Sequence, residues 1–188
     1  MHRVSGFLLL SVMTLAGVVL TVTPSRGQGV GPNVVRWDAI IGVAAPGSKV
    51  GNFDPFGTSI PLVFPISVQD GMAWVQLESG RVEFSVKGLA LANSTSLAVA
   101  GTNGVISEVT GTLVCNGIAG VASEFSDTPA VALSPKGNAG FVGAIDVPTS
   151  CLLTPDKLAF IIRVASVSNQ AAAAQVGRWV AVGVVRTP

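Results

Sequence analysis

From Val34 onward the chain alternates apolar and polar positions in short runs, broken by Gly, Pro, Asn and Asp and rich in Val, Ile and Phe. A period of two is the signature of strands with one face buried. The clearest stretch is residues 66–90. There Asp70-Gly71 and Ser79-Gly80 read as turn dipeptides separating ISV, MAWVQLE and RVEFSVKGLAL, which predicts a meander of three antiparallel strands. Within it Val82, Phe84 and Val86 alternate with Glu83, Ser85 and Lys87, and Ala73, Val75 and Leu77 alternate with Trp74, Gln76 and Glu78. One face of this sheet is therefore expected to be inside and the other wet. Further strands are predicted at 34–43, 60–64, 104–115, 139–147, 158–167 and 176–186. The only helical candidate is 170–175, where the alanines between Gln170 and Gln175 suit either a turn or two of helix or a small-residue connection.

About nine or ten strands with no long helix predict an all-β fold, an antiparallel β-sandwich of immunoglobulin-like or jelly-roll-like general architecture. The segments VVRWDAIIGV and GRWVAVGVV share an Arg-Trp step at Trp37 and Trp179. This makes them candidates for neighbouring strands at matching depths. An outer-membrane barrel would also accommodate eight strands. The chain lacks tyrosine, however, shows no aromatic girdles and ends in Arg186-Thr187-Pro188, which argues against that form.

The first residues change the picture from a domain to an exported domain. Met1, His2 and Arg3 carry the early positive charge, and residues 4–22 are then almost wholly apolar or small. Pro24 to Gln28 follow as a polar break with Ser25 and Gly27 at a small-residue exit. That layout reads as a secretory signal over 1–27, leaving 28–188 as a single domain large enough to enclose a core. The alternative is retention as an anchor, since about 19 apolar residues also suffice to cross a bilayer. After cleavage no membrane span is expected. The predicted location is secreted, periplasmic or extracellular.

Composition narrows the chemistry. Of eleven Lys and Arg, Arg3 and Arg26 fall in the leader; the rest nearly balance ten Asp and Glu and are scattered without runs. No electrostatic footprint for nucleic acid results. The only histidine, His2, lies in the leader, which removes Ser-His-Asp and Cys-His catalysis and His-containing zinc sites from the exported part. Ser85 and Lys87 share a strand face, an arrangement that can supply a nucleophile without histidine, but mid-strand on an open face they read as solvated surface. No catalytic residue, cofactor or metal is assigned.

Cys115 and Cys151 are the only cysteines, and in an exported chain they are expected to form a disulfide. The connection 44–59, AAPGSKVGNFDPFGTS, places Phe53 and Phe56 on either side of Asp54-Pro55. These rings suit either contact with a sugar or peptide, or capping of the core. Trp74 falls on the polar face with Gln76 and Glu78, the kind of flat aromatic neighbourhood a glycan-binding sheet presents. Trp37 and Trp179 read as core. Asn93-Ser94-Thr95 matches a glycosylation acceptor and also reads as an ordinary polar turn.

The segments DGMAWVQLESGRVEFSVKGLAL, AGTNGVISEV and GNAGFVGAIDV resemble strands and the glycine-rich turn of the chordin-type (CHRD) extracellular domain. The resemblance implies an extracellular antiparallel fold in which binding is expected over catalysis. Where that family often carries histidines, this chain has Ser96-Leu97-Ala98-Val99, so no metal site is implied. The expected function is that of an exported, non-catalytic structural or interaction protein of the cell envelope or extracellular space, with an unknown protein or glycan partner. The alternative is a small-ligand or glycan-binding module using Trp74 or the 44–59 loop.

Overall fold

The computed structural model describes residues 33–43, 66–91, 104–115 and 124–185. Among the described residues eleven strands carry the fold: β1 Val34–Gly42, β2 Ile66–Ser67, β3 Asp70–Gln76, β4 Arg81–Lys87, β5 Ala90–Leu91, β6 Ile106–Cys115, β7 Glu124–Asp127, β8 Val131–Ala132, β9 Ala139–Ala144, β10 Ala159–Val167 and β11 Trp179–Val185. The protein is all-β and antiparallel. Nine of the strands form one sheet in the order β7-β6-β10-β11-β1-β3-β4-β9, with β8 also pairing with β6, while β2 and β5 form a separate pair.

The sheet curls on itself, and that gives the sandwich-like core. Phe84 of β4 and Phe160 of β10 are remote along the sheet order, yet their ring centroids are 5.9 Å apart; Trp37 of β1 meets the same Phe160 at 5.5 Å. All three rings are essentially inaccessible to solvent. The chain segment between β8 and β9 links the two ends of the curl. It is a turn held by bonds from Gly137 N–H to Ser134 O and from Ser134 N–H to Asn138 O.

The alternation predicted for β3 and β4 is observed: Ala73, Val75, Val82, Phe84 and Val86 are buried, and Trp74, Gln76, Glu83 and Ser85 are half-buried on the opposite face. Ser79-Gly80 is the turn between them, with Gly80 at φ +69°, where a side chain would be strained. The first turn of the predicted meander is corrected. Asp70 and Gly71 lie inside β3, paired with Lys87 and Val86. Gly71 is small because Ile40 packs over it: a Cβ at Gly71 would stand 2.8 Å from that of Ile40. The ISV segment pairs with β5 instead of β3, through Ile66↔Leu91 and Ser67↔Ala90. The meander therefore has two strands where three were expected.

The terminal strands β1 and β11 are neighbours, as their likeness suggested, but not at matching depths. Antiparallel register places Trp37 opposite Val185 and Gly42 opposite Ala181, so the two tryptophans lie towards opposite ends of the pair. They also face opposite sides of the sheet. Trp37 belongs to the main core, whereas Trp179 joins Val43, Val114, Ile161 and Val182 in a second buried cluster. A β-bulge in β1 between Trp37 and Ala39 lets both Trp37 and Ile40 point inward. Strands β6 and β10 are thus buried on both faces over much of their length, unlike the half-wet meander.

The predicted strand at 60–64 lies outside the described residues. Residues Gln170–Gln175 form a 3-10 helix, and a second short helix, α1 Thr149–Leu153, was not expected. Among the described residues no helix is long and apolar enough to cross a membrane.

Candidate functional site

Cys115 ends β6 and Cys151 sits in α1, and a disulfide joins them across a Cα–Cα distance of 4.8 Å. That spacing is ordinary for the bond. Both cysteines are fully buried. Beside them the Ser150 hydroxyl donates to the Glu124 carboxylate, so α1 is tied to β7 as well as to β6.

The outer face of the meander is built by register. Arg36 of β1 lies opposite Trp74 of β3, Trp74 opposite Glu83 of β4, and Glu83 opposite Val142 of β9. These four residues make one row across four strands. The Trp74 indole N–H donates to Glu83 Oε2 at 2.9 Å, which ties the ring to its cross-strand neighbour. A hydrogen bond to a charged acceptor contributes about 1.5–3 kcal/mol when shielded from water, and somewhat less on this half-open face. At the end of the row Val142 is 74% exposed. The sequence singled out Trp74 correctly as a residue of the outer face; its bond to Glu83 was hidden because it depends on cross-strand register.

Lys87 forms an ion pair with Asp70 at 3.3 Å, with both side chains mostly exposed. Such a surface pair contributes little to stability. Ser85 and Lys87 thus occupy open sheet surface with the lysine directed at a carboxylate. Phe53, Phe56 and Asn93 lie outside the described residues.

A second feature was missed in the sequence. Arg163 of β10 donates from Nη1 to both carboxylate oxygens of Asp127, at 3.0 and 3.1 Å, and from Nε to Gly177 O at 2.9 Å. Its guanidinium carbon stands 5.5 Å from the centre of the Phe125 ring. Thr110, Thr128 and Val176 line a cleft of about 250 Å³ beside it. Because the charge of Arg163 is matched by Asp127, the arrangement acts as a clasp between β7, β10 and the turn before β11. The signal in the sequence was a lone Arg inside the apolar run FIIRV, which demands a partner once that strand is buried.

Among the described residues no three His, Cys, Asp or Glu are grouped to hold a metal ion. Comparisons with protein-family models, with curated proteins and with solved structures returned no match.

Proposed function

We propose that the chain is exported and acts as a non-catalytic interaction or structural protein of the cell envelope or extracellular space, offering the outer face of β1, β3, β4 and β9 to a partner. The observation that carries this reading is the row from Arg36 to Val142, with a hydrogen-bonded aromatic within it and an exposed aliphatic at its rim. The leader-like segment over 1–27 and the Cys115–Cys151 bond suit an oxidising compartment. The chordin-type resemblance falls largely on β3, β4, β6 and β9 and points the same way.

The test is fractionation of cells expressing the full chain, with N-terminal sequencing and thiol titration of the product. An exported chain starting near residue 28 with no free thiol is expected. A cytosolic chain with two titratable cysteines overturns the proposal, as does turnover by the purified protein on a broad substrate panel.

A second reading is favoured by one observation: the Trp74 ring is half-exposed and its N–H is already satisfied by Glu83, leaving a rigid apolar plane of the kind on which a sugar ring stacks. Titration with millimolar oligosaccharides is then expected to shift the Trp74 indole resonance. If that resonance does not move with any saccharide, this second reading is removed.

A further inference from the structure

The two ends of the sheet are finished differently. At one end β7 is four residues long, begins with Glu124, ends with Asp127 and is soon followed by Pro129. Short, charged edges of this kind discourage the addition of another strand. At the other end β9 runs from Ala139 to Ala144 as AGFVGA, without a charge or a proline, and its register with β4 is continuous from Arg81↔Ala144 to Val86↔Ala139.

The bond from Ile145 N–H to Gly80 O sets the phase of the β4–β9 ladder. Hydrogen-bonded and non-bonded pairs alternate along an antiparallel ladder. Ala139, Phe141 and Gly143 therefore turn their backbone groups towards β4, and Gly140, Val142 and Ala144 turn theirs away. On that far side no described strand is paired with β9. Gly140, Val142 and Ala144 are all exposed.

We infer that β9 is a dimerisation edge, on which a second copy of this chain lays its own β9 antiparallel about a two-fold axis at Val142. The parity of the ladder allows this register: Val142 would face its own counterpart, and Gly140 would face the counterpart of Ala144, giving three pairs of outward backbone groups in mutual contact. Phe141 would then face the counterpart of Gly143. That glycine already lies under the Phe141 ring of its own chain, where a Cβ would come within 2.5 Å of Phe141 Cζ. In this register Gly140 meets Ala144, small against small, and Val142 meets Val142, so the outward row complements itself. It carries no charge with which to select a partner of opposite sign. A two-fold pairing uses up both open edges, and with β7 blunted the assembly closes at two copies instead of growing into a fibre. The paired edges would bring two Trp74–Glu83–Val142 rows into one continuous face. The second copy would enlarge the face proposed above and leave it uncovered, so this inference goes beyond the reading of that face as a contact surface.

The experiment is sedimentation velocity on the exported, oxidised protein between 1 and about 100 µM, with hydrogen exchange read at the same concentrations. Dimer formation is expected, together with slowed exchange at the amides of Gly140, Val142 and Ala144. Val142→Lys and Val142→Glu each place like charges across the axis and are expected to weaken the dimer at least tenfold while keeping the monomer's thermal transition. An equimolar mixture of the two is expected to dimerise again. A wild-type chain that stays monomeric, a dimer indifferent to both variants, or a mixture that fails to recover overturns the self-pairing. Exchange that slows only when a different polypeptide is added also overturns it and leaves the contact-surface reading intact. Enzymatic turnover overturns that reading without bearing on the dimer measurement.

Discussion

Gly111 of β6 lies under the rings of Phe84 and Phe160. A Cβ there would lie 2.6 Å from Phe160 Cζ and 2.7 Å from Phe84 Cδ1, so the missing side chain is what lets rings from distant strands meet over β6. Gly111→Ala is expected to overpack this point and lose about 1–3 kcal/mol in urea unfolding. The same change in a Phe84→Leu background is expected to cost less, because the neighbour has given up the contested space. Equal costs in both backgrounds would mean that the strain lies elsewhere. Directly beside it, though 17 residues on in sequence, Thr128 is buried and its hydroxyl accepts from Gly111 N–H at 3.0 Å while donating to Pro129 O. Thr128→Val keeps the shape and orphans that N–H. A loss of about 1–3 kcal/mol is expected by the same measurement. The role of Thr128 was not legible in the sequence, since it depends on β6 passing beside it.

The Cys115–Cys151 bond joins elements, since it fastens the end of β6 to a five-residue helix with no side-chain cap at its N-terminus. With the two cysteines 36 positions apart, the chain-entropy estimate of the bond's contribution is about 4 kcal/mol. The double variant Cys115→Ala/Cys151→Ala is expected to lose that much, read as a lower urea midpoint, and each single variant about as much. A midpoint shift equivalent to under about 1 kcal/mol would show α1 to be held by its other contacts. Strands β1, β3, β4, β6, β10 and β11 were legible because each carries a period-two pattern or a β-branched run, and β9 as a short apolar stretch after Gly137-Asn138. The β2–β5 pairing was not, because two residues per strand leave no period to read, and adjacency in sequence favoured ISV against β3. Nor was α1, which is too short for a 3.6-residue repeat to be visible. For the candidate site the same division holds: Trp74 could be assigned to a face from alternation, but Glu83 as its acceptor and Asp127 as the partner of Arg163 follow from register between strands. An amino-acid pattern fixes which face a residue takes well before it fixes who stands opposite.

At the scale of the molecule, the decisive fact is that the sheet is completed by its last strand. β11 lies between β10 and β1, pairing with both, and its residues serve both faces: Val180 and Ala181 in the main core, Trp179 and Val182 in the second cluster. Until β11 is present, β1 and β10 have no neighbour on their facing edges and neither cluster is closed. A chain ending at Arg178 is therefore expected to lose cooperative folding altogether, with no sigmoidal urea transition and no near-UV signal from fixed tryptophans. This differs in kind from the loss of an edge strand, which would shorten the sheet and leave its centre intact. The expectation is checked by unfolding the truncated chain with and without a synthetic peptide spanning residues 179–185. Recovery of a transition on adding the peptide would locate the defect in the missing central strand; an unaltered transition in its absence would show that β10 and β1 can close the sheet directly. The same topology predicts slow folding, because the pairing of β1 with β11 brings together the two ends of the described chain and must overcome the entropy of closing nearly all of it. Refolding of the oxidised protein is expected on the millisecond-to-second scale typical of non-local β topologies, and stopped-flow tryptophan fluorescence would report it, since Trp37 and Trp179 become buried only when the ends meet.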